Sequence, residues 1–166
     1  KLIYMDARRF GGVRFMTDPE KIFCHMGPEP LSEEFTDSYL REVCRNRKAA
    51  IKTLLLNQNL IAGIGNIYAD EALFAARIRP GRPAGSLRPA EIKRLRQAVV
   101  KVLQASIAQR GTTFRDFRDG YNKSGEFQQL LQVYGKTDCC CNICGQTLKK
   151  DIIGGRSTHY CEHCQK

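Results

Sequence analysis

The sequence predicts a mainly α-helical protein with a small β hairpin that holds a metal ion near the C-terminal end. Two observations predict this class. Segments between residues 32 and 110 repeat apolar side chains at helical spacing. Beyond residue 138, two Cys-x-x-Cys pairs flank a stretch that reads as a strand (148–153), a glycine turn and a return strand (156–160). The two signals lie in separate parts of the chain, so a helical domain and a small metal-bound domain are expected.

The first 26 residues read differently from the rest. Short β-type runs flank Gly11-Gly12, which predicts strands joined by a hairpin. A single hairpin does not fold alone, so this segment is interpreted as the last strands of a larger sheet domain, and the chain as a fragment of a longer protein. A rigid Gly27-Pro-Glu-Pro30 step follows. We therefore divide the chain into residues 1–26, 27–134 and 135–166.

Three features organise the helical part. A helix is expected to begin after Ser32 and to bury one face, and a second is expected over residues 49–58. Gly63-Ile-Gly65 then forms a tight turn before a helix that opens at Asn66. A long helix begins near Pro89 and stops near Gly111. The polar stretch 112–126 that follows predicts a long functional loop.

The composition favours a polyanionic partner. The 166 residues include 27 Lys and Arg against 17 Asp and Glu, a net charge of +10. Nine basic residues and a single acid, Glu91, lie between Arg77 and Arg110. Taken alone, such a run also fits a solvated helix face. No apolar run reaches the ~18–20 residues of a membrane helix, and no secretory signal is present, which favours a reducing compartment.

The cysteines predict a structural zinc site. Six of the eight lie beyond residue 138. Cys141 and Cys144 form one knuckle, and Cys161 and Cys164 form the other, with sixteen residues between them. Four thiolates close a tetrahedral shell and leave no position for substrate, so the zinc is expected to be structural. A redox dithiol pair explains the matched knuckles less well, and Cys139 or Cys140 remains an alternative ligand.

Two groups are candidates for binding phosphate. Gly65 and Asn66 lie where a helix begins, and free amides at a helix N-terminus attract anions. Arg156 follows the Gly154-Gly155 turn of the hairpin, and its guanidinium matches the shape of phosphate. The alternatives are a tight turn between two helices and a solvated turn residue.

Several motifs together resemble the formamidopyrimidine-DNA glycosylase family, and the formamidopyrimidine branch more than the endonuclease VIII branch. The matching stretches, in chain order, are 6–11 (DARRFG), 27–31 (GPEPL), 60–71 (LIAGIGNIYADE), 132–135 (QVYG), 155–158 (GRST) and 161–165 (CEHCQ). They extend over nearly the whole chain.

The resemblance implies a helix–two-turns–helix domain, a zinc ribbon and the remnant of an N-terminal β-sandwich. It implies bifunctional removal of oxidised purines, with β,δ-elimination, by a monomer in the bacterial cytoplasm that is associated with the nucleoid. The base is flipped out of duplex DNA, and residues 112–126 close over it. By position, Arg8 and Phe10 fill the void, and Arg156 donates the proton of the δ-elimination. The implied DNA contacts are Arg8, Phe10, Arg47, Lys48, Lys52, Gly65, Asn66 and Arg156.

One part of the family pattern has no counterpart in this sequence. The family's nucleophile is an N-terminal proline amine followed by a glutamate, with a lysine further on, and these 166 residues contain no matching motif. We therefore expect this chain to bind damaged duplex DNA without cleaving it. The alternatives are a non-enzymatic zinc-ribbon module that binds DNA and a ribbon that binds RNA or protein.

Overall fold

The computed structural model describes residues 3–4, 11–18, 23–113 and 124–166. In these residues the elements are α1 (Asp37–Cys44), α2 (Ile51–Leu55), α3 (Asn66–Ala75), α4 (Pro89–Ala108), β1 (Lys149–Ile153) and β2 (Arg156–Tyr160). Short 3₁₀ helices lie at Ala84–Ser86 and Phe127–Leu130. None of the described helices is both long enough and apolar enough to cross a membrane.

Helix α1 begins later than the sequence suggests. The side chain of Thr36 accepts a hydrogen bond from the amide of Tyr39 at 3.0 Å and caps the helix. Ser32, the predicted cap, instead donates its hydroxyl to the carbonyl of Glu29 at 2.8 Å, within a preceding turn. The predicted buried face is confirmed, because Leu40, Val43 and Cys44 are buried.

The helix–turn–helix unit consists of α2, a turn and α3. Helix α2 ends at Leu55, several residues before the predicted end, because Gln58 bonds to the turn instead of extending the helix. The side-chain amide of Gln58 donates to the carbonyl of Ile64 and accepts from the backbone amide of Gly63. Gly63 has a φ of +82°. Helix α3 then begins at Asn66 as predicted, with Gly65 as its N-cap.

Helix α4 packs across α1 and α3 and completes the core of the helical part. Pro89 occupies its first turn, and the carboxylate of Glu91 accepts from the amide of Arg88 at 2.8 Å. Twenty buried side chains from the four helices and their connections form one apolar cluster. This cluster positions the amino end of α3 at the surface.

Strands β1 and β2 pair in antiparallel register, with Ile153 opposite Arg156. Gly154 and Gly155 form the turn with positive φ angles of 58° and 72°. The predicted hairpin is therefore confirmed to within one residue at its start. Near the N-terminus, the described residues 11–18 contain no strand, so a strand over Val13–Phe15 is not observed. Residues 5–10 of the predicted hairpin lie outside the described residues.

Candidate metal centre and nucleic-acid interface

The sulfur atoms of the four knuckle cysteines form one compact cluster. The ligand atoms of Cys141, Cys144, Cys161 and Cys164 all lie within 4.8 Å of one another. Two cross-knuckle Sγ–Sγ distances are 3.9 Å (Cys141 to Cys164) and 3.5 Å (Cys144 to Cys161). Thiolates around one zinc ion, with bonds of about 2.3 Å, lie about 3.8 Å apart, so the cluster fits zinc. All four positions are protein ligands, and the site is therefore structural.

The electrostatics of the cluster also favour a bound cation. Burial acts to raise the pKa of the Cys141 thiol, but hydrogen bonds from the amides of Ile143 and Cys144 lower it to about 7. At Cys164, burial and the neighbouring thiols raise the pKa to about 12. Four thiolates this close repel one another, and a divalent cation stabilises all of them together.

The remaining cysteines and histidines near the cluster are not ligands. Cys139 and Cys140 are exposed and lie outside the sulfur cluster, so Cys141 is the ligand, as predicted. His163, within the second knuckle, is exposed. His159 is buried on β2, and its ring lies edge-on to Tyr134 at 4.9 Å between centroids.

A buried polar joint attaches the hairpin to the helical domain. We use "the joint" for Lys52 of α2, Asp70 of α3, and Ser157, Thr158 and His159 of β2. The Nζ atom of Lys52 lies 2.6 Å from Oδ1 of Asp70 and donates to the Ser157 carbonyl and the Thr158 hydroxyl, each at 2.8 Å. Asp70 accepts the amide of His159 at 2.9 Å. The joint therefore holds β2 against both helices.

Lys52 corrects one expectation from the sequence. The side chains of Lys52 and Asp70 are both fully buried, with 0% exposure. Burial lowers the pKa of Lys52 and raises that of Asp70, while their contact opposes both shifts. Because its ammonium group is enclosed by protein acceptors, Lys52 does not lie on the surface that would meet DNA. Its role in the structure is to position β2.

Asn66 and Arg156 both adjoin Ser157 of this joint. The side-chain amide of Asn66 donates to the Ser157 carbonyl at 2.9 Å, so one carbonyl receives both Asn66 and Lys52. Arg156, the residue before Ser157, is exposed at the hairpin turn. Gly65 gives helix α3 no side-chain cap, so amides at this helix end stay available to an anion. The amino end of α3 and the hairpin turn thus form one surface, which we call the phosphate seat.

Other predicted DNA contacts are only partly described. Arg47 and Lys48 are exposed in the connection between α1 and α2, and Nε of Arg47 donates to the Val43 carbonyl at 2.9 Å. Arg8 and Phe10 lie outside the described residues, as do residues 114–123 of the predicted loop. The ends of that loop are held together, because the amide of Gly125 donates to Thr113 Oγ1 at 2.8 Å and that of Phe127 donates to the Gly111 carbonyl at 3.1 Å.

Two acidic residues of α3 were missed by sequence reasoning. Asp70 belongs to the joint, and the carboxylate of Glu71 accepts the amides of Gln132, Val133 and Tyr134 at 2.8 to 2.9 Å. Glu71 therefore attaches the segment that leads into the first zinc knuckle. The sequence carried a signal for these roles, because Asp70 and Glu71 are adjacent acids on an otherwise apolar helix. Carboxylates on such a helix are buried only when they have partners.

Comparison with known proteins agrees with this geometry. Residues 26–118 match the model of the formamidopyrimidine-DNA glycosylase H2TH domain, and residues 141–166 match that of the zinc finger found in FPG and IleRS. The chain is 59% identical over 166 residues to formamidopyrimidine-DNA glycosylase of Syntrophomonas wolfei and 47% identical over 167 residues to that of Edwardsiella ictaluri. The aligned regions include 100% and 99% of this chain but 62% of each relative. The chain therefore spans less than two thirds of the length of these relatives.

Solved structures give the same result. The chain resembles the crystal structure of MutM (Fpg) from Thermus thermophilus with a TM-score of 0.87 and 42% identity, over 96% of this chain and 62% of that one. It resembles Lactococcus lactis Fpg, in complex with DNA containing an abasic site, with a TM-score of 0.82 and 38% identity, over 89% of this chain and 54% of that one. With its helical domain, its zinc ribbon and these relatives, the chain belongs to the formamidopyrimidine-DNA glycosylase family.

Proposed function

We propose that the protein containing this chain is a base-excision DNA glycosylase with AP lyase activity on oxidised purines, namely 8-oxoguanine and formamidopyrimidines. The phosphate seat is the observation that carries this proposal. Two groups suited to binding anions come from different domains, because the Asn66 side chain donates to the carbonyl of Ser157 and Arg156 is the exposed residue just before Ser157. Arginine and asparagine side chains and the amides of helix N-termini are groups that proteins use to hold DNA phosphates.

The seat would hold the phosphates on either side of a nucleotide that has left the base stack. Flipping is required because the bond between base and sugar is inaccessible inside the duplex. Arg8 and Phe10 would fill the space left by the base, and Arg47 and Lys48 would contact the backbone further along. Gly65 allows the backbone to approach the phosphate closely. The protein would act as a monomer on DNA in the bacterial cytoplasm.

The chemistry would come from an amine that attacks C1′ of the sugar, releases the base and forms an imine. Elimination at the β and then the δ position would cut the backbone on both sides of the lesion, and Arg156 would donate the proton in the second step. The 166-residue chain contains no match to the family's amine, so by itself it would bind such DNA without cutting it.

Binding to a 20-base-pair duplex with a tetrahydrofuran abasic analogue tests the seat. We expect Arg156→Ala to weaken binding about 10- to 100-fold and to reduce the slope of log K against log[salt] by about 0.9. Lys101→Ala removes an equal charge from the exposed face of α4 and is the matched control. Equal losses in the two variants would mean that Arg156 contributes only general charge.

Borohydride trapping on an 8-oxoguanine duplex tests the chemistry. The intact protein that contains these residues should form a covalent adduct, and the zinc-loaded 166-residue chain should form none. An adduct with the chain alone would overturn its proposed inactivity. The absence of an adduct with the intact protein, with duplex binding retained, would instead support a non-enzymatic DNA-binding module.

A further inference from the structure

A second basic site lies behind the zinc knuckles. A pocket of about 520 Å³ opens between them and the first half of α4. Its wall includes the side chains of Arg77, Arg88, Arg94, Lys166, Ile143 and His163. Ile143 is 52% exposed, so the pocket combines several cations with an uncovered apolar side chain. None of these residues belongs to the phosphate seat.

The pocket contains guanidinium groups that no carboxylate among the described residues neutralises. Glu91 is the carboxylic acid in the pocket wall, and its carboxylate already accepts from Arg82 at 2.8 and 2.9 Å and from Arg88 at 3.3 and 3.4 Å. The thiolates of Cys144 and Cys164, which also line the pocket, would be bound to the zinc. No carboxylate in the described ranges forms an ion pair with Arg77 or Arg94. Nε of Arg94 donates to the Ala76 carbonyl at 3.4 Å, and no other acceptor within the described part of the chain bonds to its guanidinium group. An anionic ligand would therefore find free guanidinium groups.

Arg77 occupies a backbone position that usually belongs to glycine. It follows the end of α3 with a φ of 58°, and the amide of Ile78 donates to the Leu73 carbonyl at 3.0 Å, as in a helix C-terminal cap. A left-handed conformation costs a residue with a Cβ atom about 1 kcal/mol or more. Glycine at position 77 would therefore remove the cation without straining the backbone.

The pocket and the phosphate seat lie at opposite ends of the same two elements. Helix α3 begins at Asn66 in the seat and ends beside Arg77, about 15 Å away for its ten residues. Strand β2 likewise begins at Arg156 and leads into the knuckle of Cys161 and Cys164. The pocket is therefore separate from the phosphate seat, about 15 Å from it along α3.

We propose that this pocket binds a short acidic segment of a partner protein, in which an apolar side chain covers Ile143. Charge complementarity selects an anion, and two features favour a peptide over a second DNA backbone. The pocket is concave, whereas duplex DNA presents a broad convex rod. Its exposed isoleucine matches an apolar side chain, which the phosphate backbone lacks.

Fluorescence anisotropy with a labelled peptide, acetyl-Asp-Asp-Leu-Asp-Phe-Asp-Asp, tests the proposal on the zinc-loaded chain. Arg77→Gly removes one cation while suiting the backbone, and Arg94→Ala removes another from α4. Each should weaken peptide binding about tenfold. Lys101→Ala, on the same helix but outside the pocket, should leave binding unchanged. Affinity of all three variants for the abasic duplex should equal that of the unmodified chain.

Three results would overturn the proposal. One is no saturable binding of the peptide, and another is equal binding of a peptide with Asn in place of every Asp. The third is displacement of the peptide by duplex DNA together with a loss of DNA affinity in Arg94→Ala, which would make the pocket part of the DNA surface. The peptide measurement does not depend on glycosylase chemistry, so it can fail while the proposed function stands.

Discussion

The helical domain and the zinc ribbon are stabilised in different ways. The helical domain buries an apolar cluster of twenty side chains. The ribbon contributes to a second cluster of five, Phe74, Val133, Cys141, Leu148 and Cys161, of which two are zinc ligands and one, Phe74, comes from α3. So small an apolar core does not hold a domain of about thirty residues, and the metal takes its place.

The phosphate seat depends on both kinds of stabilisation. Asn66 lies on a helix held by the large apolar core, whereas Arg156 lies on a hairpin held by zinc and by the joint. The relative position of the two side chains therefore depends on the apolar core, the zinc and the joint together. Stability measurements on either domain alone would not report it. Separate perturbation of the metal, the joint and the hairpin turn shows how much each contributes.

Zinc removal should have the largest effect. Structural zinc contributes on the order of 10 kcal/mol to folding at such sites, so chelation should unfold residues beyond about 135. The helical domain should keep its circular dichroism, because its core does not include the metal. DNA affinity should fall with the loss of Arg156. Proteolysis, circular dichroism and binding of the abasic duplex, before and after chelation, measure the three outcomes.

Replacement of both Cys139 and Cys140 by Ser is the matched control. Both thiols are exposed and lie outside the sulfur cluster, so one zinc per chain should remain. Unchanged DNA affinity in the metal-free chain would contradict the role of the ribbon in the seat.

Disruption of the joint should have the next largest effect on stability and DNA affinity. Lys52→Met leaves Asp70 as a buried, unpaired acid, and such losses cost about 3–5 kcal/mol. DNA affinity should also fall, although Lys52 has no exposed surface, because the Ser157 carbonyl loses one of its two donors. Urea unfolding and binding of the abasic duplex measure the two effects on the same protein.

The double variant Lys52→Met with Asp70→Asn distinguishes a buried charge from a lost contact. The introduced asparagine would still accept the amide of His159 but would carry no charge, so part of the stability should return. DNA affinity should stay reduced, since Ser157 still lacks the lysine. Normal stability and a loss of affinity confined to low salt in Lys52→Met would restore Lys52 as a direct DNA contact.

The joint also marks the limit of what the sequence could predict. The hairpin was predicted to within one residue, because Cys-x-x-Cys spacing and the Gly154-Gly155 turn are local signals. The burial of Lys52 was not predictable in this way, since Asp70 and Thr158, its partners, lie 18 and 106 residues away. Local signals also competed at the start of α1, where Ser32 and Thr36 are both good caps.

Substitutions in the turn of the hairpin should have the smallest effect on DNA affinity. The turn offers a matched pair of glycines, Gly154 and Gly155. Both have positive φ, so alanine at either position costs about 1 kcal/mol from the backbone. A Cβ atom on Gly155 would meet nothing within 4 Å, whereas one on Gly154 would lie 2.6 Å from Thr53 Oγ1 and 3.3 Å from its methyl group. Because Thr53 is β-branched and stiff, Gly154→Ala should move the turn away from α2.

Gly154→Ala should therefore weaken binding of the abasic duplex several-fold more than Gly155→Ala, because displacement of the turn moves Arg156 away from Asn66. Thr53→Ala in the Gly154→Ala background removes both close contacts and should bring affinity back to the level of Gly155→Ala. If the two single variants bind equally, the contact with Thr53 does not position Arg156. The zinc and the joint would then hold the hairpin without help from its turn.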